Sequence, residues 1–265
     1  MVTRGQGGQR RQFLTPTQRI LLWHIAAITP ALALSLLGDG WYGWSGLASL
    51  TVTVWTVRRL LVHRSLRILV TRSLEPGLII VGAILYVWLV SNSLVMPLWQ
   101  QGFVLIAAFM LQLRYFLQQF RVETVRLQSV FSITLIILMN TVWALLATIN
   151  ALAGFVTLVL VWLVNYIIVH YWLERVGFHN SFLAAVWALI ATEAMWLTSI
   201  ALVFYTVPRT AIMVSRSAIF LAVIAYAWGS MLMLHSRRKL TKRLVVEYGV
   251  VCTAVLLALL VFSGW

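Results

Sequence analysis

The sequence predicts an all-α polytopic membrane protein, a transmembrane helical bundle of about nine spans with its N-terminus inside and its C-terminus outside. Three observations predict it. The chain is 62% hydrophobic and 10% charged, with mean hydropathy +0.95, whereas a soluble domain is roughly a quarter charged. Apolar runs of about 20 residues, the length that crosses a bilayer, recur along all 265 positions. The basic residues gather in every second gap between those runs, and the other gaps hold almost none.

Residues 1–19 form a polar, basic segment without an early apolar core and a small-residue cleavage site, and read as a retained cytoplasmic tail. Residues 20–265 read as a single transmembrane domain. Its spans fall at about 20–37, 41–57, 76–98, 102–120, 128–148, 151–173, 182–206, 217–235 and 244–262, bounded by charges and turn residues. Gly38-Asp39-Gly40 and the short gaps near 99–101 and 149–150 make tight antiparallel hairpins.

Orientation follows from the charges. With the N-terminus inside, the tail and the segments 58–75, 121–127, 174–181 and 236–243 hold seventeen of the twenty Lys and Arg residues, an asymmetry that places them on the cytoplasmic side. Only Arg209 and Arg216 fall outside, and Arg114 lies within a span. Trp41, Trp44, Trp99 and Trp265 mark the outer boundary, while Trp23, Trp55 and Trp172 mark the inner one, as suits indoles at an interface. The protein is therefore expected in the cytoplasmic (inner) membrane of a bacterium. Its formal charge of +14 reads as contact with anionic lipid on the inner leaflet, not with nucleic acid. Arg58, Arg59, Arg64, Arg67, Arg237, Arg238 and Lys239 are the expected headgroup contacts. Arg59, His63 and Arg67 recur every four residues, which suits a basic amphipathic helix lying on the leaflet over 58–74.

Chemistry is sparse. Cys252 is the only cysteine and reads as a packing residue; no His or Cys spacing suits a metal, and no cofactor is expected. Glu193 is read as the acid deep in a span, about 16 Å from the inner end of its helix at 1.5 Å per residue. An ionised carboxylate there is costly, so it needs a partner or a proton. Asn140 lies at nearly the same level, and Arg114, about 9 Å from the inner end of its span, could also reach it. Glu193, Arg114 and Asn140 are thus the candidate intramembrane polar site. Helical phase sets Ala184, Ala188 and Ala191 opposite Glu193, so the small residues approach one helix while Glu193 looks to another helix, a cavity or another subunit. Asn92 and Asn165 read as interhelical hydrogen-bonding groups.

Asp39, Arg209 and Arg216 are the candidate outer-face site. An acid just after the first span resembles the catalytic acid of polytopic glycosyltransferases that use lipid-linked sugars, a resemblance of one residue and its position; Gly-Asp-Gly is also an ordinary turn. Gly43-Trp44-Ser45-Gly46 resembles the G-x-S-G of rhomboid intramembrane proteases. A serine nucleophile needs a histidine base within about 3 Å, however, and every histidine is expected near or beyond the inner face, so Ser45 reads as helix packing. Within 182–265, Glu193-x-x-Trp196, Pro208, Arg237-Arg238-Lys239 and Glu247-Tyr248 before a last span ending at Trp265 resemble uncharacterised polytopic membrane proteins of candidate-phyla (Patescibacteria) bacteria. That resemblance implies a membrane protein and no activity.

The sequence thus favours a non-enzymatic membrane component or scaffold, with an oligomer or larger membrane complex left open. A small transporter or proton-coupled carrier using Glu193 and Arg114 is the first alternative, and a lipid-linked glycosyl transferase using Asp39 the second. A scaffold is expected to hold Glu193 hydrogen-bonded inside a closed bundle; a Glu193 on the lipid face of a monomer would exclude both the carrier and that closed bundle and point to an oligomer.

Overall fold

The computed structural model describes residues 15–61, 66–93, 96–118, 125–148, 154–176, 178, 180–199, 204–236 and 238–261. Among them lie nine α-helices: α1 (Pro16–Leu34), α2 (Tyr42–Leu60), α3 (Leu66–Ser93), α4 (Leu98–Gln118), α5 (Val125–Thr148), α6 (Gly154–Val176), α7 (Ser181–Ser199), α8 (Arg216–Ser236) and α9 (Lys242–Val261). Five are long and apolar enough to cross a membrane, over Pro16–Leu37, Arg72–Asn92, Val130–Thr148, Val156–Glu174 and Arg216–His235.

Local chemistry sets the ends. α1 starts in a capping box: the Gln18 amide donates to Thr15 Oγ1 at 3.3 Å, the Thr15 amide donates to Gln18 Oε1 at 2.9 Å, and Pro16 occupies the first turn. α1 gives way to two 3-10 turns, Ser35–Leu37 and Asp39–Trp41. Gly38 between them has φ +117°, which an L side chain rarely adopts. α3 and α5 form the centre, with Ile80, Val87 and Val90 of α3 and Leu135, Ile136 and Ala144 of α5 fully buried. α2 and α4 pack on α3, while α6 and α8 pack on α5. α1 lies on α2, α7 chiefly on α6, and α9 on α8.

α3 departs from expectation at its start. It begins at Leu66, so the stretch expected to lie on the leaflet over 58–74 is instead the end of α2, the undescribed residues 62–65 and the first turns of α3. Pro76 does not break the helix. Its ring denies the Arg72 carbonyl its usual amide partner, and the Tyr115 hydroxyl of α4 donates to that oxygen at 3.5 Å. A neighbouring helix thus takes up what the proline releases. Glu75, expected in a loop, is consequently a fully buried residue of α3, so Glu193 is not the single acid within a long apolar helix.

The segment expected as a span over 182–206 also differs. α7 ends at Ser199, and Phe204–Thr206 is a strand, β1, paired antiparallel with β2 (Met213–Ser215) in the register Phe204↔Ser215, Tyr205↔Val214 and Thr206↔Met213. Pro208-Arg209-Thr210 turns the chain, with Arg209 at φ 62°. Aromatic and β-branched residues on either side of a proline turn favour a hairpin once the helix has ended.

The hairpin defines one end of the bundle. Met213 donates its amide to the Tyr86 hydroxyl at 2.8 Å, and that hydroxyl donates to the Met213 carbonyl at 2.9 Å. Gln100 Oε1 accepts from the Ala211 amide at 2.8 Å, and Thr141 Oγ1 from the Ser215 amide at 3.3 Å. The C-terminal parts of α3, α5 and α7 and the N-terminal ends of α4 and α8 therefore meet at this hairpin end. Tyr86→Phe is expected to loosen the hairpin by about 1 kcal/mol, read as faster hydrogen exchange at the Met213 amide while α3 is unchanged.

The opposite end is basic. Arg58 and Arg59 close α2, Arg59 lying 5.6 Å over the Trp55 ring, and Arg238 and Lys239 stand exposed after α8. Arg64 and Arg237 lie outside the described residues, and Arg67 is described only as backbone within α3. Trp23, Trp41, Trp44, Trp55 and Trp99 are exposed near the helix ends. Trp172, expected at the inner boundary, is not exposed like these but fully buried against Gly229 of α8. Trp265 lies outside the described residues.

Candidate functional site

Along α2, Ser45, Ser49, Thr53 and Thr56 are spaced by four, four and three residues, so they share one face, and all four are fully buried. The Ser45 hydroxyl donates to the Ala31 carbonyl of α1 at 2.7 Å, a packing bond between helices and not a nucleophile beside a base. Thr53 and Thr56 donate to the Ser49 and Val52 carbonyls of their own helix, each at 2.8 Å.

Three further helices meet this stripe. His24 of α1 is fully buried, with Nδ1 2.7 Å from Thr56 Oγ1 and Nε2 3.1 Å from Gln112 Oε1 of α4. The Gln112 amide nitrogen donates to Thr53 Oγ1 at 2.8 Å and to the Pro76 carbonyl of α3 at 3.1 Å. Phe116 meets the imidazole edge-on at 4.9 Å. The donor accounting is tight. Gln112 spends both amide protons, so its oxygen can only accept, and Nε2 must carry a hydrogen. If Thr56 keeps its bond to Val52, Nδ1 must donate as well, which requires the imidazolium. A neutral ring requires the Thr56 hydroxyl to turn from Val52 to Nδ1. One hydroxyl rotation thus separates the two protonation states. The groups are sealed among four helices, so no substrate reaches Thr56 unless the helices part; the arrangement locks α1, α2, α3 and α4 together.

A second polar pair joins α5 to α6. Asn140 and Asn165 exchange amide bonds of 3.2 and 3.1 Å, and each also donates to a carbonyl one turn back, Ile136 at 2.8 Å and Val161 at 2.9 Å. Asn140 therefore does not serve Glu193. It is buried between α5 and α6, while Glu193 faces away from both.

Glu193 is exposed on α7, in a row with Phe182, Val186, Leu189, Ile190 and Trp196. Ala184, Ala188 and Ala191 are fully buried on the other side, where α7 packs on α6, as the helical phase predicts. Arg114 is exposed on α4, in a row with Trp99, Phe103, Ile106, Met110 and Leu117. Among the described residues, neither charge has a hydrogen bond or an ion pair, and α4 and α7 do not pack together. The expected trio of Glu193, Arg114 and Asn140 is thus not brought together within one chain.

The outer-face candidates do not converge either. Arg209 is exposed at the hairpin turn and Arg216 is half-buried at the start of α8; among the described residues neither forms an ion pair. Asp39 is described by its backbone alone, in the 3-10 turn. A cleft between α2 and α3 opens near that turn, but apart from Tyr42 and Trp88 its lining is aliphatic or glycine and carries no charge. Among the described residues, no three His, Cys, Asp or Glu side chains come together to hold a metal.

Spacing could have revealed the His24 junction. Four hydroxyl residues on one face of an apolar helix need polar partners, and His24 and Gln112 are polar residues within neighbouring apolar runs. The exchange between Asn140 and Asn165 has no comparable linear signal. No protein family, curated protein or solved structure matches the chain.

Proposed function

We propose that this chain is a non-enzymatic membrane component that joins other transmembrane helices through the outward faces of α4 and α7. In this reading all nine helices cross the cytoplasmic membrane of a bacterium, with the basic end inside and the hairpin end outside. One observation carries it: Glu193 and Arg114 both project outward from apolar helices with no partner among the described residues. Within hydrocarbon each such charge costs about 3 kcal/mol, and an opposite charge or a hydrogen-bonding helix across an interface removes that cost. The outward placement of Glu193 also favours assembly over a carrier, which needs its coupling carboxylate on the wall of an internal path. The closed junction at His24 suits a rigid support.

The test is the protein mass of the particle in its own membrane. Extracted with a surrounding disc of native lipid, each particle should hold a protein mass well above the 30.0 kDa of one chain, and Glu193→Leu or Arg114→Leu should lower that protein mass. A wild-type particle holding one chain and no other protein would overturn the proposal.

A further inference from the structure

We infer that the partner of this surface is a second copy of the same chain, whose α4 lies antiparallel on α7 so that Arg114 of one copy meets Glu193 of the other. The inference rests on the assembly reading above and identifies the partner. Three observations support it.

The first is depth. Contacts relate the levels of the two residues: Gln112 meets Pro76 and Gly82 faces Met139, and from there one route runs through Asn140–Asn165, Trp172–Gly229 and Trp228–Trp187, the other through Thr141–Ser215 and Ser217–Met195. Counting 1.5 Å per residue along each helix puts the Glu193 backbone about 14 Å nearer the hairpin end than that of Arg114 by the first route and about 9 Å by the second. Copies related by an axis along the membrane normal share their depths, so the same offset holds between copies.

The second is direction. Helical side chains lean toward the N-terminus of their own helix. α7 starts at the basic end and α4 at the hairpin end, so Glu193 leans toward the basic end and Arg114 toward the hairpin end. The two side chains narrow the offset from opposite sides, and the length of arginine suits the larger share. A guanidinium also matches a carboxylate through paired donors.

The third is the seam. On α7 the exposed Phe182, Val186, Leu189, Glu193 and Trp196 are spaced by four, three, four and three residues. On α4 the exposed Trp99, Phe103, Ile106 and Met110 are spaced by four, three and four residues, and Arg114 follows four further on, one position past the strict alternation. Alternating threes and fours keep two helices in register along a left-handed contact. Within one chain these faces cannot meet, because α4 sits on α3, α7 sits on α6, and α5 separates α3 from α6. The contact is therefore heterologous, and a closed ring satisfies every copy.

The test uses the purified full chain, labelled and reconstituted alone at low density into phosphatidylethanolamine–phosphatidylglycerol vesicles, with energy transfer between copies as the readout. Wild type should show transfer. Glu193→Arg alone and Arg114→Glu alone should each lose it, because each places like charges at the seam. Mixing those two variants should restore it, since every contact between them again pairs opposite charges, and so should both substitutions in one chain. Restoration on mixing cannot come from misfolded protein. Should the reversals unfold the chain, Glu193→Gln with Arg114→Gln serves instead: weakened transfer at an unchanged melting temperature supports the inference, and undiminished transfer overturns it. Wild-type chains that remain single in vesicles overturn it too. If the native-lipid particle is nevertheless large, the assembly reading survives with a different subunit; if that particle also holds one chain, both readings fall.

Discussion

Gly229→Ala should be the most damaging single methyl group that can be added to this protein. A Cβ at that position would stand 2.0 Å from Cη2 and 2.1 Å from Cζ2 of Trp172, far inside any carbon–carbon contact. The indole has nowhere to retreat: Trp172 is fully buried, and Leu173 beside it and Ala225 one turn back on α8 are buried as well. Either α8 moves off the ring or the ring leaves its rotamer, and overpacking of this kind costs about 3 kcal/mol or more. Thermal melting in detergent should show the drop. The cause is tested by a second change, since Trp172→Leu in the Gly229→Ala background shortens the facing side chain and should recover much of the loss, although Trp172→Leu alone leaves a void and destabilises. Destabilisations that simply add would place the damage elsewhere.

That contact also shows where a linear reading stops. Trp172 lies close to a cluster of charges, and its position in the chain suggests an interface; only the approach of α8 makes it core. The helices themselves were legible because apolar length and charge spacing are one-dimensional signals, and α1, α5, α6 and α8 begin and end within a few residues of expectation. The hairpin after α7 was not, because Phe204-Tyr205-Thr206 is apolar enough to extend a span and its strand character depends on pairing with Met213–Ser215. Pro76 misled in the same way. It reads as a boundary in sequence, yet α4 supplies the hydroxyl that lets α3 run through it. For Glu193, helical phase set it opposite the alanine stripe, which is where it lies. What phase could not give is that the space beyond is the outside of the molecule.

Gln112→Leu should be the most costly of the polar substitutions, because one amide serves three partners on three other helices. Its removal leaves His24 Nε2, Thr53 Oγ1 and the Pro76 carbonyl each short of a bond in a region closed to water. Individual interhelical hydrogen bonds in a membrane protein average only about 0.6 kcal/mol. The larger part here is the desolvation of groups left behind, which brings the expected loss to about 2–3 kcal/mol. The comparison that decides the mechanism is the double variant His24→Phe with Gln112→Leu. It removes the acceptor and the imidazole together and puts an aromatic ring beside Phe116, so it should melt closer to wild type than Gln112→Leu alone. Removing both partners of a buried bond is cheaper than orphaning one. A double variant no better than the single would mean that the imidazole itself supports the four helices, through Thr56 at 2.7 Å, independently of Gln112. Either outcome bears on the rotation of the Thr56 hydroxyl: with Gln112 gone, Nε2 no longer has to carry a hydrogen, Nδ1 can donate to Thr56 from a neutral ring, and the bond from Thr56 to Val52 is kept.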